Sequence, residues 1–245
     1  QWFQLTPLGD GFVMRFPRRH KPKEIQPLPD YSTLLKTFRQ YGDWLQRLGI
    51  DNVGMLNNKI EDQRIREIIL VGEALHEQRI AEVAGQIHDR IDQVRVVLIA
   101  GPSSSGKTTF AKRLAIQLLA RGISPFPLEM DNYFVDREET PLDENGEYDF
   151  ENIKAVNTKR LDKDLRKMIN GDEVQLPRYD FLQGKSVPGE TVRLQPGQII
   201  LLEGIHGLNP ELTPNLPMEQ TFRVFTSALT QLNLDGHNRV STTDT

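Results

Sequence analysis

Apolar positions along this chain follow two rhythms. Between Tyr31 and about Asp92 they recur every three or four residues, as Leu34, Leu35, Phe38, Tyr41, Trp44, Leu45 and Leu48, closed by Gly49, and then as Ile60, Ile65, Ile68, Ile69, Leu75, Ile80, Val83, Ile87 and Ile91. That spacing predicts two or three helices packed as a hairpin. From Val94 onward, short, mainly apolar runs at residues 94–100, 123–130, 198–203 and 222–225 read instead as strands. Between them lie helical segments at residues 107–121, with Phe110, Leu114, Leu118 and Leu119 on one face, and at residues 158–169, stopped by Asn170-Gly171. Strands alternating with helices predict an α/β fold, a doubly wound parallel sheet with helices on both faces, preceded by the small helical region. Pro125 and Pro127 suit an edge strand. Short strands at 174–176 and 191–194 are expected to flank a loop holding Gly184 and Gly189.

This divides the chain into residues 1–30, 31–92 and 93–245. The first stretch, with Pro7, Pro17, Pro22, Pro27 and Pro29 and five basic residues from Arg15 to Lys23, reads as an extended linker or the remnant of an N-terminal domain. Residues 136–151 carry eight acids against Arg137 alone, with an Asn145-Gly146 turn, and read as a solvated, mobile excursion. The chain opens on Gln1 and closes on the polar run Ser241-Thr242-Thr243-Asp244-Thr245, a helix-start signal with no helix behind it, so it reads as a fragment.

Composition narrows the function classes. With 245 residues and 38% hydrophobic content the chain can build a core, and a net charge of −4 offers no general attraction to nucleic acid or anionic lipid. It has no cysteine, which excludes disulfides, a thiolate nucleophile and a cysteine-based zinc site. His76 and His88, twelve residues apart, cannot form a helical metal pair. No apolar run approaches the ~20 residues that span a bilayer, and the cytoplasm is the default location.

The chemistry concentrates in Gly101-Pro102-Ser103-Ser104-Ser105-Gly106-Lys107-Thr108, which fits the phosphate-binding pattern G-x-x-x-x-G-K-[ST] between a predicted strand and a predicted helix. Glycines at 101 and 106 let backbone N–H groups, including those of Ser103, Ser104 and Ser105, converge on the phosphates of a nucleoside triphosphate at the helix N-terminus. Lys107 adds a point charge, and Thr108, with Thr109 as the alternative, would place a hydroxyl on Mg²⁺. The expected cofactors are therefore ATP and Mg²⁺. Three acids follow strands or loops at the same carboxyl edge: Asp131, Asp149 and Glu203. Phosphoryl transfer needs the phosphates held, their charge neutralised and the acceptor oxygen aligned, and one carboxylate at the metal with one at the acceptor suffices.

The series G-P-S-S-S-G-K-T-T, M-D-N-Y-F at 130–134, Y-D-F-E at 148–151, L-P-R-Y-D-F at 176–181 and L-L-E-G-I-H at 201–206 resembles the uridine kinase and phosphoribulokinase family of P-loop kinases, in the family's order. The preceding segment, with L-N-N-K-I-E-D at 56–62 and E-A-L-H-E at 73–77, resembles the region that joins a threonyl-tRNA-synthetase-like part to the kinase in a bacterial subgroup. The resemblance implies ATP-dependent phosphorylation of a ribose hydroxyl on a nucleoside, by family default uridine or cytidine. It implies Asp131 as general base or aligner, Glu203 beside Mg²⁺, Asp149 on the acceptor's ribose, and Tyr179 and Phe181 near its base. His206 reads equally as an acceptor contact or an ordinary loop residue.

Two departures bear on the substrate. Gly184 stands where uridine-cytidine kinases carry a base-contacting histidine, which leaves the nucleoside open. The arginine-rich lid that the family implies would follow the last residue, and Arg239 alone does not replace it. A kinase for another small acceptor such as a sugar phosphate remains an alternative, as does an ATP-binding regulatory or RNA-associated protein resting on the basic stretch at 15–23. A guanine-reading N-K-x-D motif after the P-loop is missing, against a GTPase. The implied partner is a small-molecule nucleoside, with room for a homo-oligomer and no membrane.

Overall fold

The computed structural model describes residues 2–9, 11–19, 21–28, 32–227, 232–236 and 238. Arg239, the closing run at 241–245 and the start of the helical pattern at Tyr31 lie outside these residues. In chain order the elements are strands β1 (Gln4–Leu8) and β2 (Gly11–Arg15); helices α1 (Ser32–Leu48), α2 (Val53–Glu61) and α3 (Ile65–His88); β3 (Val96–Ala100), α4 (Lys107–Leu119), β4 (Pro125–Glu129), α5 (Thr158–Ile169), the strand pair β5 (Val174–Asp180) and β6 (Lys185–Val192), then β7 (Ile199–Glu203) and β8 (Thr221–Phe225).

The main sheet is parallel, in the spatial order β4-β7-β3-β8. Its two central strands, β3 and β7, are apolar almost throughout because both of their faces are covered, whereas the border strands β4 and β8 alternate. Val96, Leu98, Ile200 and Leu202 pack with Leu161, Leu165 and Met168 of α5, while Val97, Ile99, Ile199 and Leu201 pack with Leu114 and Leu118 of α4. This is the doubly wound α/β arrangement of P-loop proteins. β4 is an edge strand, as its two prolines require.

The helical region joins this body directly. Ile80, Ala84 and Ile87, fully buried on one face of α3, complete the layer over α4 and the sheet. The last turns of α3 therefore share the sheet's core, across the division that composition places at residue 93. The first half of α3 leaves Ile69 and Leu70 more than half exposed.

Three expectations need correction. Residues 4–15 are not an extended linker but an antiparallel hairpin, with Leu5 opposite Met14 and Pro7 opposite Phe12. The run Leu8-Gly9-Asp10-Gly11 is a turn signal that the surrounding prolines obscured. Residues 174–192 are likewise one hairpin rather than two short strands around a loop. Asp180 accepts from the Leu182 and Gln183 N–H groups to close the turn, and an irregularity between Gln175 and Pro177 accommodates Pro188 in the partner strand. The acidic excursion at 136–151 is folded back on itself. Asp143 accepts from the N–H groups of Asn145 and Glu147, and the Asp149 N–H donates to the Pro141 carbonyl at 2.7 Å.

Ile87→Ala should cost about 2–5 kcal/mol of stability, the range for emptying a packed core site, while Ile69→Ala should stay within about 0.5 kcal/mol. Urea unfolding of the two variants checks whether α3 is integral to the kinase core; equal small losses would detach it.

Candidate active site

The site forms where the carboxyl ends of β3, β4 and β7 meet. β3 delivers the loop 101–106 into the N-terminus of α4. Gly101 is buried and has no room for a side chain: a Cβ there would lie 2.3 Å from the Thr226 carbonyl oxygen and 2.6 Å from the Ser105 hydroxyl. Thr226, just past β8, donates its N–H to the Ala100 carbonyl at 2.7 Å, and its hydroxyl lies 3.1 Å from that carbonyl and 3.2 Å from the Ser105 hydroxyl. The loop is thus fixed at its entrance by the neighbouring strand. Ser104 at φ 58° and Gly106 at φ 86° take left-handed conformations that bend the backbone round, leaving the unpaired N–H groups of the first turn of α4 to face an anion. Ser103 is exposed on the loop. Lys107 donates to the Pro102 carbonyl at 2.7 Å, so its ammonium already hangs over the loop.

The end of β7 brings Glu203 to α4. Thr108 donates its hydroxyl toward both carboxylate oxygens of Glu203, at 2.8 and 3.0 Å. Thr108, not Thr109, is the hydroxyl that meets this acid; Thr109 is exposed on the same turn. A hydroxyl and a carboxylate side by side at the mouth of a phosphate loop are the hard-oxygen donors that Mg²⁺ takes. A further acid went unnoticed in the sequence: Glu129, which pairs in register with Glu203 across β4 and β7 and accepts from the Asn132 side chain at 3.4 Å. Its signal was its place at the end of a strand, two residues before Asp131.

Asp131 opens the turn after β4, open to solvent yet crowded by protein. Burial pushes its carboxyl above the ordinary range, the Glu129 charge adds to this, and Lys107 and His206 pull it back. His206 lies beyond β7; burial pushes its imidazole below the usual value, against the Asn152 backbone and the charges of Asp149, Asp131 and Glu151. Its Nε2 is buried without a hydrogen-bond partner. The structure thus gathers Asp131, Lys107, His206, Thr108 and Glu203 at one edge. Asp149 approaches His206 too, but its carboxylate is engaged in its own turn, accepting from the Glu151 N–H at 3.1 Å and the Asn152 amide at 3.4 Å. Glu151, which the sequence reading passed over, faces the same histidine.

Tyr179 and Phe181 stand beside this edge. The Tyr179 N–H donates to the Asn132 side-chain oxygen at 3.3 Å, which ties β5 to the turn carrying Asp131. Its ring, only 4% exposed, meets Phe134 and Phe181 edge-on with centroids 5.5 and 5.0 Å away, and Phe134 meets Phe150 at 5.4 Å. Phe181 is 59% exposed and forms the open lip of this aromatic wall.

Comparison with known proteins decides the lineage. Residues 96–217, which span the phosphate loop, Asp131, the aromatic wall and Glu203, match the model of the phosphoribulokinase / uridine kinase family. The chain belongs to this family. A uridine kinase of Anoxybacillus flavithermus is 34% identical over 122 residues, covering 49% of this chain and 56% of the relative. One from Ligilactobacillus salivarius is 30% identical over 114 residues, covering 46% of this chain and 52% of the relative. The chain thus spans about half the length of the curated relatives it matches. Among solved structures, a possible uridine kinase from Bacillus stearothermophilus aligns with a TM-score of 0.43 at 26% identity, over 57% of this chain and 80% of that one. The threonyl-tRNA-synthetase-like resemblance of the segment before the kinase rests on its quoted residues alone.

The raised carboxyl of Asp131 has a measurable sign. The folded state holds this proton more tightly than the unfolded chain, so its stabilising contribution is complete below the ordinary carboxylate value and is lost as pH rises through the folded value. Asp131→Asn should therefore melt higher than the wild type at pH 7, with the difference closing as pH falls into the carboxylate range. Thermal unfolding at pH 7 and pH 4 checks this; an Asn variant that melts lower at pH 7 would refute it.

Proposed function

We propose that this chain forms the nucleotide-binding and catalytic core of an ATP-dependent kinase that phosphorylates a ribose hydroxyl of a nucleoside, with Mg²⁺ as the metal. The observation that carries the reading is the convergence of Thr108–Glu203, Lys107 and Asp131 at the carboxyl edge of one sheet, next to an aromatic wall. The loop 101–106 and the first turn of α4 would hold the triphosphate, and Thr108 and Glu203 would hold the cation. When bound, Mg²⁺ neutralises charge on the phosphate oxygens. No group of three or more potential ligands stands together among the described residues, so the remaining coordination would come from phosphate and water, as is usual for this ion.

The chain's own residues supply positioning and one proton acceptor. Lys107 is free to exchange the Pro102 carbonyl for a phosphate oxygen. Asp131 aligns the acceptor hydroxyl and takes its proton; a carboxyl raised toward neutrality is a better base than an ordinary one. His206, neutral because it is buried, has a free Nε2 to meet a second hydroxyl of the sugar. The aromatic wall accepts a flat base, for which a purely polar acceptor would have little use. Localisation in the cytoplasm, where ATP is supplied, belongs to the same reading.

Asp131→Asn should lower kcat for phosphoryl transfer from ATP·Mg²⁺ to a nucleoside by at least about 100-fold, the lower range for a positioned general base, with the ATP affinity unchanged. Glu203→Gln should instead raise the Mg²⁺ concentration needed for half-maximal rate. A nucleoside panel followed by monophosphate formation reads both. Unchanged transfer in the Asn variant would remove Asp131 from the chemistry.

A further inference from the structure

A cavity of about 430 Å³ opens at the amino edge of the main sheet, the end opposite the phosphate loop. It lies between the turn that follows α3, the end of α5 and the turn that leads into β7. Ile91, Met168, Ile169 and Leu194 give it an apolar floor. None of the described residues that line it belongs to the phosphate loop, the carboxylate edge or the aromatic wall. A volume of this order suits a small molecule.

The cavity has two electrostatic poles. Arg95, immediately ahead of β3, makes the positive one. Its Nη1 donates to the Ile91 and Val94 carbonyls at 2.8 and 2.9 Å, and its Nη2 donates to the Asp92 carbonyl at 3.0 Å, so three acceptors hold the guanidinium against the turn after α3. No carboxylate pairs with it among the described residues. The three bonds leave Nε and one hydrogen of Nη2, two donors on one side of the planar group that match the two oxygens of a carboxylate. The end of α5 makes the negative pole. The Asn170, Gly171 and Asp172 N–H groups turn back to the Arg166, Met168 and Lys167 carbonyls, which leaves the carbonyls of Ile169 and Asn170 without a backbone partner at the negative end of the helix dipole. The Asp92 carboxylate, exposed on the same rim, has neither an ion pair nor a hydrogen bond among the described residues.

We propose that this cavity binds a free α-amino acid with an apolar side chain. Its carboxylate pairs with Arg95, its ammonium group lies between Asp92 and the last carbonyls of α5, and its side chain rests on Met168 and Leu194. A simple anion would gain Arg95 but meet Asp92 and the negative helix end, and a simple cation would gain those and meet the guanidinium. A ligand that carries both charges satisfies both poles, and the apolar floor rewards an aliphatic or aromatic body. The occupied cavity links the turn after α3 to the end of α5, and so ties the helical region to the kinase body without competing for the phosphate loop. This inference does not draw on the nucleoside reading, and its failure leaves that reading untouched.

The test is calorimetric titration of L-leucine and L-phenylalanine into the protein. The comparators are glycine, which lacks the apolar body, isocaproate, which lacks the ammonium group, and isoamylamine, which lacks the carboxylate. The better of the two apolar amino acids should bind at least about tenfold more tightly than any comparator, the worth of one charge-assisted pairing or of one buried side chain. Arg95→Gln should weaken it at least about tenfold. Because Arg95 also closes the turn after α3, Asp92→Asn, at an exposed position, serves as the variant without a folding risk; it should weaken the amino acid at least about threefold and narrow its advantage over isocaproate. A non-hydrolysable ATP analogue with Mg²⁺ should leave the affinity unchanged. The inference is overturned if neither amino acid binds at millimolar concentration, if isocaproate binds as tightly as either, if Asp92→Asn leaves the affinity unchanged, or if the ATP analogue displaces the amino acid.

Discussion

The strand Val96–Ala100 is the constraint on which the rest depends. All five residues are buried, hydrogen-bonded to β7 on one side and β8 on the other and packed by α4 and α5 on its two faces. A strand enclosed in this way cannot shift by one residue, because every side chain would exchange one core for the other. Its carboxyl end is therefore a fixed point, and the phosphate loop begins there. Thr226 fixes the same point from β8 and Glu203 from β7, so three adjacent strands locate a loop that by itself has few internal bonds. The site is accurate because its most irregular backbone starts at the most confined residue of the molecule.

Electrostatics at this edge are arranged against stability. Glu129 and Glu203 emerge in register on adjacent strands, Asp131 follows Glu129 by two residues, and Asp131, Asp149 and Glu151 all act on His206. Lys107 is the cation that acts on Asp131 from within the phosphate loop. The Glu129 charge beside Asp131 raises the cost of ionising it, on top of burial. The crowding keeps the Asp131 carboxyl basic.

Much of this could be read from residue order because it rests on local rules. The phosphate loop needs Gly-x-x-x-x-Gly-Lys-Thr regardless of context, strands enclosed on both faces are apolar without interruption, and Asn157 and Asn170-Gly171 bracket α5 by capping chemistry. What remained illegible depends on contacts distant in sequence. Nothing near Arg137 announces that it covers Gly184, because that contact exists only once the β5–β6 hairpin closes onto the turn after β4. The hairpin itself was hidden by Pro188 and Gly189, which argue against a strand until the irregularity at Gln175 and Pro177 accommodates them. The motif that marks Asp149 does not show that its carboxylate also holds the turn presenting Glu151. The burial of α3 on α4 was equally invisible, since amphipathic spacing gives a helix's face but not its partner.

The two prolines of β4 have a consequence beyond their position. Ile199 donates its N–H to the Ser124 carbonyl, and in a parallel ladder alternate residues address the same neighbour, so positions 124, 126 and 128 serve β7 while Pro125 and Pro127 face away from the sheet. The outward side of this strand thus lacks the N–H groups that an incoming chain would need at two successive positions. A fold whose central strands are among its most apolar segments exposes one border that no foreign strand can extend, and at high concentration that border protects the molecule from edge-to-edge aggregation.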